Sequence, residues 1–302
     1  MSQVFEGSEK KLEIVLKKDA PSLRQWPRDE WVKVIEAANA QVLSEISNDH
    51  CDAYLLSESS LFVWDHSMVL ITCGTTTLVK AAEILAEKIP EAQREAFFFQ
   101  RKNEYFPEMQ KSSFDEDVES LKKLTSGHAV RLGQPDEHHM FLYNSDNQMD
   151  PGRLGSTLEV LMYDLQGPAK EAFNCEGSSV DDIRLKTQVN KILPDFQVDD
   201  FCFQPTGYSL NAIKDEFYYT IHVTPQDVSP YVSFETNAVK QDDVKSVIDA
   251  VLETFRPQKF DLVFFDQQGS EALKDLSGYK QVNQVNHEIG GVYQLQFTHF
   301  SQ

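Results

Sequence analysis

Glu58, Ser59 and Ser60 close an apolar run in YLLSESSLFV (Tyr54–Val63), and Cys73 stands fourteen residues beyond Ser59 in a Thr-Cys-Gly-Thr-Thr turn. A serine hydroxyl can attack the carbonyl of the residue before it and convert the peptide bond to an ester. Elimination then leaves dehydroalanine, and hydrolysis leaves a pyruvoyl group at a new amino terminus. That ketone is an electrophile that no side chain offers, a task otherwise given to bound cofactors. Read alone, the triplet is a polar turn between two strands, and Cys73 is a small buried hydrophobe.

A second cluster lies far along the chain: FCFQPTGYSLN (Phe201–Asn211), YYTIHVTPQ (Tyr218–Gln226) and YVSFETN (Tyr231–Asn237). Strand alternation puts Tyr218, Thr220, His222 and Thr224 on one face. His222 is thus on the more polar face, where it can act as a base near neutral pH. Ser209, after Gly207 and Tyr208, has the setting of a turn former when taken by itself.

These groups need a scaffold. Trp31, Val32, Ile35, Ala38, Val42 and Ile46 recur at helical spacing, which predicts an amphipathic helix over 28–47. Helices are also expected over 77–89, 115–124, 179–193 (Ser179 and Asp182 capping) and 242–255. Strands are expected over 11–17, 52–57, 60–64, 68–73, 94–101, 139–144, 158–164, 217–224, 230–235, 260–266 and 291–299. Strand pairs interrupted by helices, once in each half, predict an α+β layout of antiparallel sheets with helices outside. A weak internal duplication breaks near residue 150, in the polar stretch Tyr143–Leu154.

With 302 residues and a net charge of −20 (28 Lys+Arg against 48 Asp+Glu), the chain repels phosphate backbones and anionic lipid. Nucleic-acid and membrane partners are excluded on that ground, and no run approaches the length of a membrane helix. The first residues, MSQVFEGSEKKLE, contain no apolar targeting region. Four scattered cysteines without CxxC spacing imply reduced thiols and a cytoplasmic setting. There is no HExxH, and His138-His139 is an adjacent pair in a polar loop, so no metal is expected.

Taken together and in this order, the blocks closely resemble the eukaryotic-type S-adenosylmethionine decarboxylase family. The resemblance runs from Phe5-Glu6-Gly7 and Glu9 through YLLSESSLFV, TCGTT, FFFQRKN (Phe97–Asn103), STLEVLMYDL (Ser156–Leu165), PTGYSLN and TIHVTP to YVSFETN. It covers most of residues 4–240. It implies one domain over 1–302, a four-layer α/β/β/α sandwich of two antiparallel sheets built by duplication of β-α-β-β type units, with pseudo-repeats over roughly 1–150 and 151–302. It also implies self-cleavage between Glu58 and Ser59 into a β chain (1–58) and an α chain (59–302) capped by pyruvate.

The roles implied by the resemblance are specific. His222 removes the serine α-proton during elimination, and Ser209 assists ester formation. The amine of S-adenosylmethionine forms a Schiff base with the pyruvoyl group made from Ser59, carbon dioxide leaves, and Cys73 returns a proton. The product serves spermidine synthesis. Phe5 and Phe203 sandwich the adenine, and Glu58, Leu56 and Glu9 line the pocket around the pyruvoyl end.

Two departures matter. Where the family has a ribose-binding glutamate, this chain has Gln226, which keeps a hydrogen bond but loses its charge-assisted part. At the diamine-regulatory site of animal enzymes, Glu13, Thr157, Glu159 and Glu235 persist, but Gly155 replaces an aspartate and Ile71 a lysine. Lys11 stands where animal enzymes have an apolar residue. Its ammonium can substitute for putrescine, so putrescine activation is not expected. Three readings therefore stay open: this decarboxylase, a pyruvoyl-dependent decarboxylase of ornithine, arginine or lysine, and a non-catalytic paralogue that activates a decarboxylase. A monomer and a homodimer of αβ units are equally compatible.

Overall fold

Eight strands form from the first half of the chain: β1 (Lys10–Leu16), β2 (Val42–Ser47), β3 (Asp52–Leu56), β4 (Ser59–Val63), β5 (Ser67–Thr72), β6 (Arg94–Lys102), β7 (Gly127–Gly133) and β8 (His139–Ser145). Eight more form from the second: β9 (Thr157–Leu165), β10 (Gln197–Cys202), β11 (Tyr208–Lys214), β12 (Phe217–Thr224), β13 (Tyr231–Thr236), β14 (Pro257–Asp266), β15 (Lys280–Ile289) and β16 (Tyr293–Ser301). The computed structural model describes residues 5–302 except 58, 136–137, 151, 174–176, 205, 226–229, 241–242, 268–275 and 277.

The first sheet is ordered β2-β3-β4-β5-β1-β6-β8-β7 and the second β10-β11-β12-β13-β9-β14-β16-β15. The second order is the first with eight added to every number. Neighbours are antiparallel throughout the described pairings.

Helices α1 (Arg28–Ala37), α2 (Leu78–Lys88) and α3 (Phe114–Leu121) belong to the first half. Helices α4 (Gly167–Phe173), α5 (Val180–Thr187) and α6 (Val244–Phe255) belong to the second. Their apolar stripes seal the outer faces of the sheets. Trp31, Ile35, Leu78, Leu85 and Leu121 pack with Leu12, Ile14 and Leu70 of the first sheet. Phe173, Ile248 and Phe255 pack with Val160, Ile221 and Phe234 of the second. The result is a four-layer α/β/β/α sandwich.

Between the sheets lie two apolar clusters. The larger joins Phe98, Leu132 and Leu142 to Leu161, Val263, Phe265 and Phe297. The smaller joins Cys51, Ala53 and Phe62 to Ile213 and Tyr218.

The helix expected over 28–47 is corrected to α1 followed by β2. Asn39 takes a left-handed φ of 64°. The Asn39 amide bonds the Glu36 carbonyl at 2.8 Å and the Ala40 amide bonds Ile35 at 3.1 Å, closing the helix as a Schellman cap. Val42 and Ile46 are four apart, a spacing that fits a strand face as well as a helix face. The helix expected over 179–193 likewise stops at Thr187, where Gln188 turns left-handed at φ 57°. Its capping box of Ser179 and Asp182 forms. β7, β10 and β15 were not expected: they are sheet edges, polar and partly exposed, with no clean alternation to read. The interior strand β11 was not expected either, because Gly207 and Ser209 at its start have the look of a turn.

Candidate active site between the sheets

Register places the chemistry. In the first sheet Ser59 pairs with Thr72, and Thr72 pairs with Lys10, so three adjacent strands carry one row. In the second sheet Ser209 pairs with His222, and His222 with Ser233. One step along in the first sheet is the row Ser60–Ile71–Lys11–Gln100, and two steps along in the second is the row Asn211–Thr220–Glu235–Glu159. Side chains from the two sheets meet here: Ser60 reaches Asn211, Ser233 reaches Glu9, and Lys11 reaches Glu159.

Ser59 opens β4 and is buried, at 1% exposure. Its φ is 130°, a region L-residues seldom adopt, worth about 1–3 kcal/mol of backbone strain. Its hydroxyl lies 3.4 Å from the sulfur of Cys73, which is buried and follows β5. Leu56, fully buried, pairs with Ser59 across the β3–β4 hairpin. Glu58, the residue between them that precedes Ser59, lies outside the described residues, as does Gln226.

The turn bearing Cys73 is pinned from the amino-terminal segment. Gly74 has a left-handed φ of 66°, which a glycine adopts without strain, and its amide bonds the Glu6 carbonyl at 2.8 Å. Lys10 donates to the carbonyls of Gly74 (3.2 Å) and Thr76 (3.3 Å) and to Gln110 Oε1 (2.6 Å). Burial, reinforced by Arg101 nearby, pushes the Lys10 ammonium down to about 8. Glu9 accepts from the Ser233 hydroxyl at 2.5 Å, and burial pushes its carboxyl up to about 8.

His222 is buried within β12 and partnered at both nitrogens. Nδ1 lies 2.9 Å from the Ser209 hydroxyl, while Nε2 lies 2.9 Å from Thr220 Oγ1 and 3.2 Å from Ser60 Oγ. Burial pushes the imidazole down to about 3, so it is neutral at physiological pH. Ser209 and His222 therefore come together as expected, yet the described partner of His222 on β4 is Ser60, while Ser59 turns toward Cys73. Ser60, Asn211, Thr220, Ser233 and Lys10 had no role assigned from sequence. The signal was present: Asn211 and Thr220 each stand two residues from an expected site residue, on the same strand face.

Phe5 is half-buried before β1 and Phe203 is half-buried between β10 and β11. The Phe203 ring packs edge-on against Phe201, centroids 4.9 Å apart.

The residual diamine cluster is occupied from within. Lys11, fully buried, makes ion pairs with Glu159 (3.0 Å) and Glu235 (2.8 Å), and Lys102 pairs with Glu159 from β6. Tyr218 donates to Glu235. Burial alone would lower the Lys11 ammonium, but Glu159 and Glu235 outweigh it and hold it charged well above the usual range. Burial would raise Glu159, but Lys102 and Lys11 bring it below the usual carboxylate range; Glu235 stays raised by burial. Glu13, pushed up to about 7 by burial, lines a cavity of about 10 Å³ with Thr157, Gly155, Phe98, Phe265 and Tyr293. That is room for roughly one water molecule.

A second polar cluster lies elsewhere. Asp261 of β14 accepts from His138 Nδ1 (3.0 Å), His299 Nδ1 (2.6 Å) and Tyr163 (3.0 Å). The two imidazoles stack with centroids 4.3 Å apart and planes 25° from parallel. His138 is thus part of a buried clamp and not merely half of a polar-loop pair. These three side chains bring their ligand atoms within 4.8 Å of one another. The two near-parallel rings each hydrogen-bond their own carboxylate oxygen, His138 to Oδ2 and His299 to Oδ1. No helix among the described residues is long and apolar enough to cross a membrane.

Comparisons with known proteins identify the family and the fold. A family model described as adenosylmethionine decarboxylase matches residues 2–301. The S-adenosylmethionine decarboxylase proenzyme of Dictyostelium discoideum is 34% identical over 329 residues, spanning 100% of this chain and 86% of that protein. That of Drosophila melanogaster is 35% identical, covering 91% of this chain and 87% of its own length. That of Xenopus laevis is 32% identical, covering 99% and 95%. The crystal structure of the Trypanosoma brucei AdoMetDC-delta26 monomer superposes with a TM-score of 0.63 at 25% identity, over 80% of this chain and 98% of that one. With a sandwich of two matching eight-stranded sheets and Ser59, Cys73, Ser209 and His222 in its polar seam, the chain belongs to the adenosylmethionine decarboxylase family.

Proposed function

We infer that this chain is an S-adenosylmethionine decarboxylase that makes its own pyruvoyl group by cutting itself between Glu58 and Ser59. The observation that carries the reading is the strained, buried Ser59 with its hydroxyl 3.4 Å from Cys73 Sγ, next in the chain to Ser60, whose hydroxyl lies 3.2 Å from Nε2 of the Ser209-bonded His222.

Maturation uses the chain's own groups. The Ser59 hydroxyl attacks the Glu58 carbonyl, exchanging the amide for an ester and freeing the Ser59 amine. Loss of the Ser59 α-proton and expulsion of the Glu58 carboxylate leave dehydroalanine at position 59. Tautomerisation and addition of water release ammonia and leave a ketone. Ser209 and His222 supply a hydroxyl and a neutral imidazole next to β4 for the proton transfers. The residues present fit such a terminal group: the position is buried, lies at the end of a strand, and has a thiol in contact.

Once formed, that ketone supplies an electrophilic carbonyl for the α-amine of the substrate and a sink for the electrons left when carbon dioxide departs. Cys73 is placed to hand a proton from Sγ to the α-carbon. Glu9, Leu56 and Glu58 line the end of the pocket, while Phe5 and Phe203 flank the adenine and Gln226 takes the ribose. Lys11 stands in for a diamine, supported by its ion pairs to Glu159 and Glu235 and by a residual cavity too small for putrescine, so turnover is independent of putrescine.

Two measurements test the reading. On a denaturing gel the purified protein should run as two bands. Carboxyl-labelled S-adenosylmethionine should release labelled carbon dioxide, with ornithine, arginine and lysine run in parallel. A persistent full-length band, or release from a basic amino acid alone, would refute it.

A further inference from the structure

We propose that Asn211 is a positioning residue that fixes the tautomer of His222, making Nδ1 the basic nitrogen directed at Ser209. The inference deepens the self-processing reading and rests on it for its consequence, though not for its geometry.

Proton counting leads to it. The Asn211 side-chain amide donates through Nδ2 to the Tyr54 carbonyl at 3.0 Å, a group that can only accept. That contact sets the orientation of the amide, so Oδ1 must face the other way. There Oδ1 takes the Ser60 hydroxyl proton at 2.5 Å, with Thr220 Oγ1 also 3.1 Å away. Thr220 in turn donates to the Leu210 carbonyl at 2.9 Å. Each hydroxyl has one proton, and both are now committed to pure acceptors. What Ser60 and Thr220 present to His222 Nε2, at 3.2 and 2.9 Å, is therefore a pair of oxygen lone pairs.

A neutral imidazole carries one N–H. With the hydrogen on Nε2, it serves both oxygens, and Ser209 donates to the bare Nδ1 at 2.9 Å. With the hydrogen on Nδ1, the Nε2 lone pair meets the Ser60 lone pair, or else Asn211 or Leu210 loses its donor. Every group here is buried, so such a mismatch finds no water to relieve it. The polar side chain that decides the outcome belongs to β11 of the second sheet and is pinned by the Tyr54 carbonyl of β3 in the first. The tautomer is thus set only when the two sheets are closed on each other.

The test uses the full-length chain. In ¹⁵N-histidine spectra, His222 should show the Nε2–H tautomer in the Ser59→Ala protein, which retains an uncut backbone. Asn211→Ala frees the Ser60 proton to compete for Nε2. It should move the spectrum toward Nδ1–H and slow cleavage roughly tenfold, the scale of one lost hydrogen bond. Adding Ser60→Ala to that variant removes the competing donor and should return both the spectrum and the cleavage rate most of the way. A merely structural role for Asn211 cannot give that rescue. An Nδ1–H spectrum in the Ser59→Ala protein, or an Asn211→Ala chain that cleaves at the parental rate, would overturn the proposal. So would a double variant as slow as the single one. If Asn211→Ala fails to fold, the spectrum of the Ser59→Ala protein still decides the tautomer. An Nε2–H spectrum in a wild-type sequence that never cleaves would remove the processing reading and leave the tautomer assignment standing.

Discussion

Lys11 and Ile71 sit directly opposite each other on β1 and β5, with Ser60 next in the same row. Paired residues on adjacent strands share a face and have side chains about 5 Å apart. The lysine that the resemblance leads one to expect at position 71 is therefore supplied from the neighbouring strand, where its ammonium reaches Glu159 and Glu235.

Removing that ammonium by Lys11→Met should leave the buried Glu235 without its cation and Glu159 with Lys102 alone, and cost about 3–5 kcal/mol of stability. Thermal melts should show the loss. Millimolar putrescine should recover part of it in the variant and leave the parent unmoved. The double variant Lys11→Ile, Ile71→Lys should retain most of the parental stability. A parent whose processing or turnover rises with putrescine would contradict the built-in ammonium.

Cys73→Ala should still yield two bands on a denaturing gel, because the thiol has no part in ester formation. Carbon dioxide release should fall by about 10²-fold or more, the usual contribution of a positioned acid. Retention of full turnover would show that another group protonates the α-carbon.

Glu9 gives a pH dependence of defined sign. Burial raises its carboxyl from an ordinary 4.5 to about 8, so the folded state binds its proton more tightly than the unfolded state does. Its contribution to stability is complete below about 4.5 and is lost as pH rises through about 8. Urea midpoints taken at intervals from pH 5 to 8 should decline, and Glu9→Gln should flatten that limb. An unchanged slope in the variant would mean that Glu9 is ionised in the native state.

Asp261 acts in the opposite sense. Burial would raise its carboxyl, but the hydrogen bonds from His138 and His299 outweigh burial and hold it below the usual range. Its stabilisation is complete above the unfolded value of about 3.9 and is lost as pH falls through the lower folded value. Asp261→Asn should thus lower stability at neutral pH by more than at pH 3, as read from denaturant midpoints at the two values.

Much of this was legible in the sequence, and the reasons are local. β3, β4, β5, β9 and β12 carry apolar runs that only strands explain, and Ser209 and His222 stand in motifs with a fixed order. Edge strands such as β15 have no buried face and hence no pattern. The break at Asn39 was hidden because Val42 and Ile46 satisfy both periods. The partners of His222 were harder still. Ser60 meets Asn211 across 151 positions of sequence, and only the facing of one sheet on the other brings them together. Spacing along a chain carries no record of which rows of two sheets will oppose each other.

The placement of β1 has a consequence for the cut protein. Cleavage after residue 58 would leave β1, β2 and β3 on the short piece, with β4 onward on the long one. β1 is no outer strand: it is hydrogen-bonded to β5 on one side and β6 on the other, both from the long piece. β3 likewise keeps its ladder to β4. The two fragments are therefore interleaved, and parting them means tearing open the centre of a sheet. Scission frees a reactive end without loosening the body that holds it, so the severed chain should unfold as one cooperative unit.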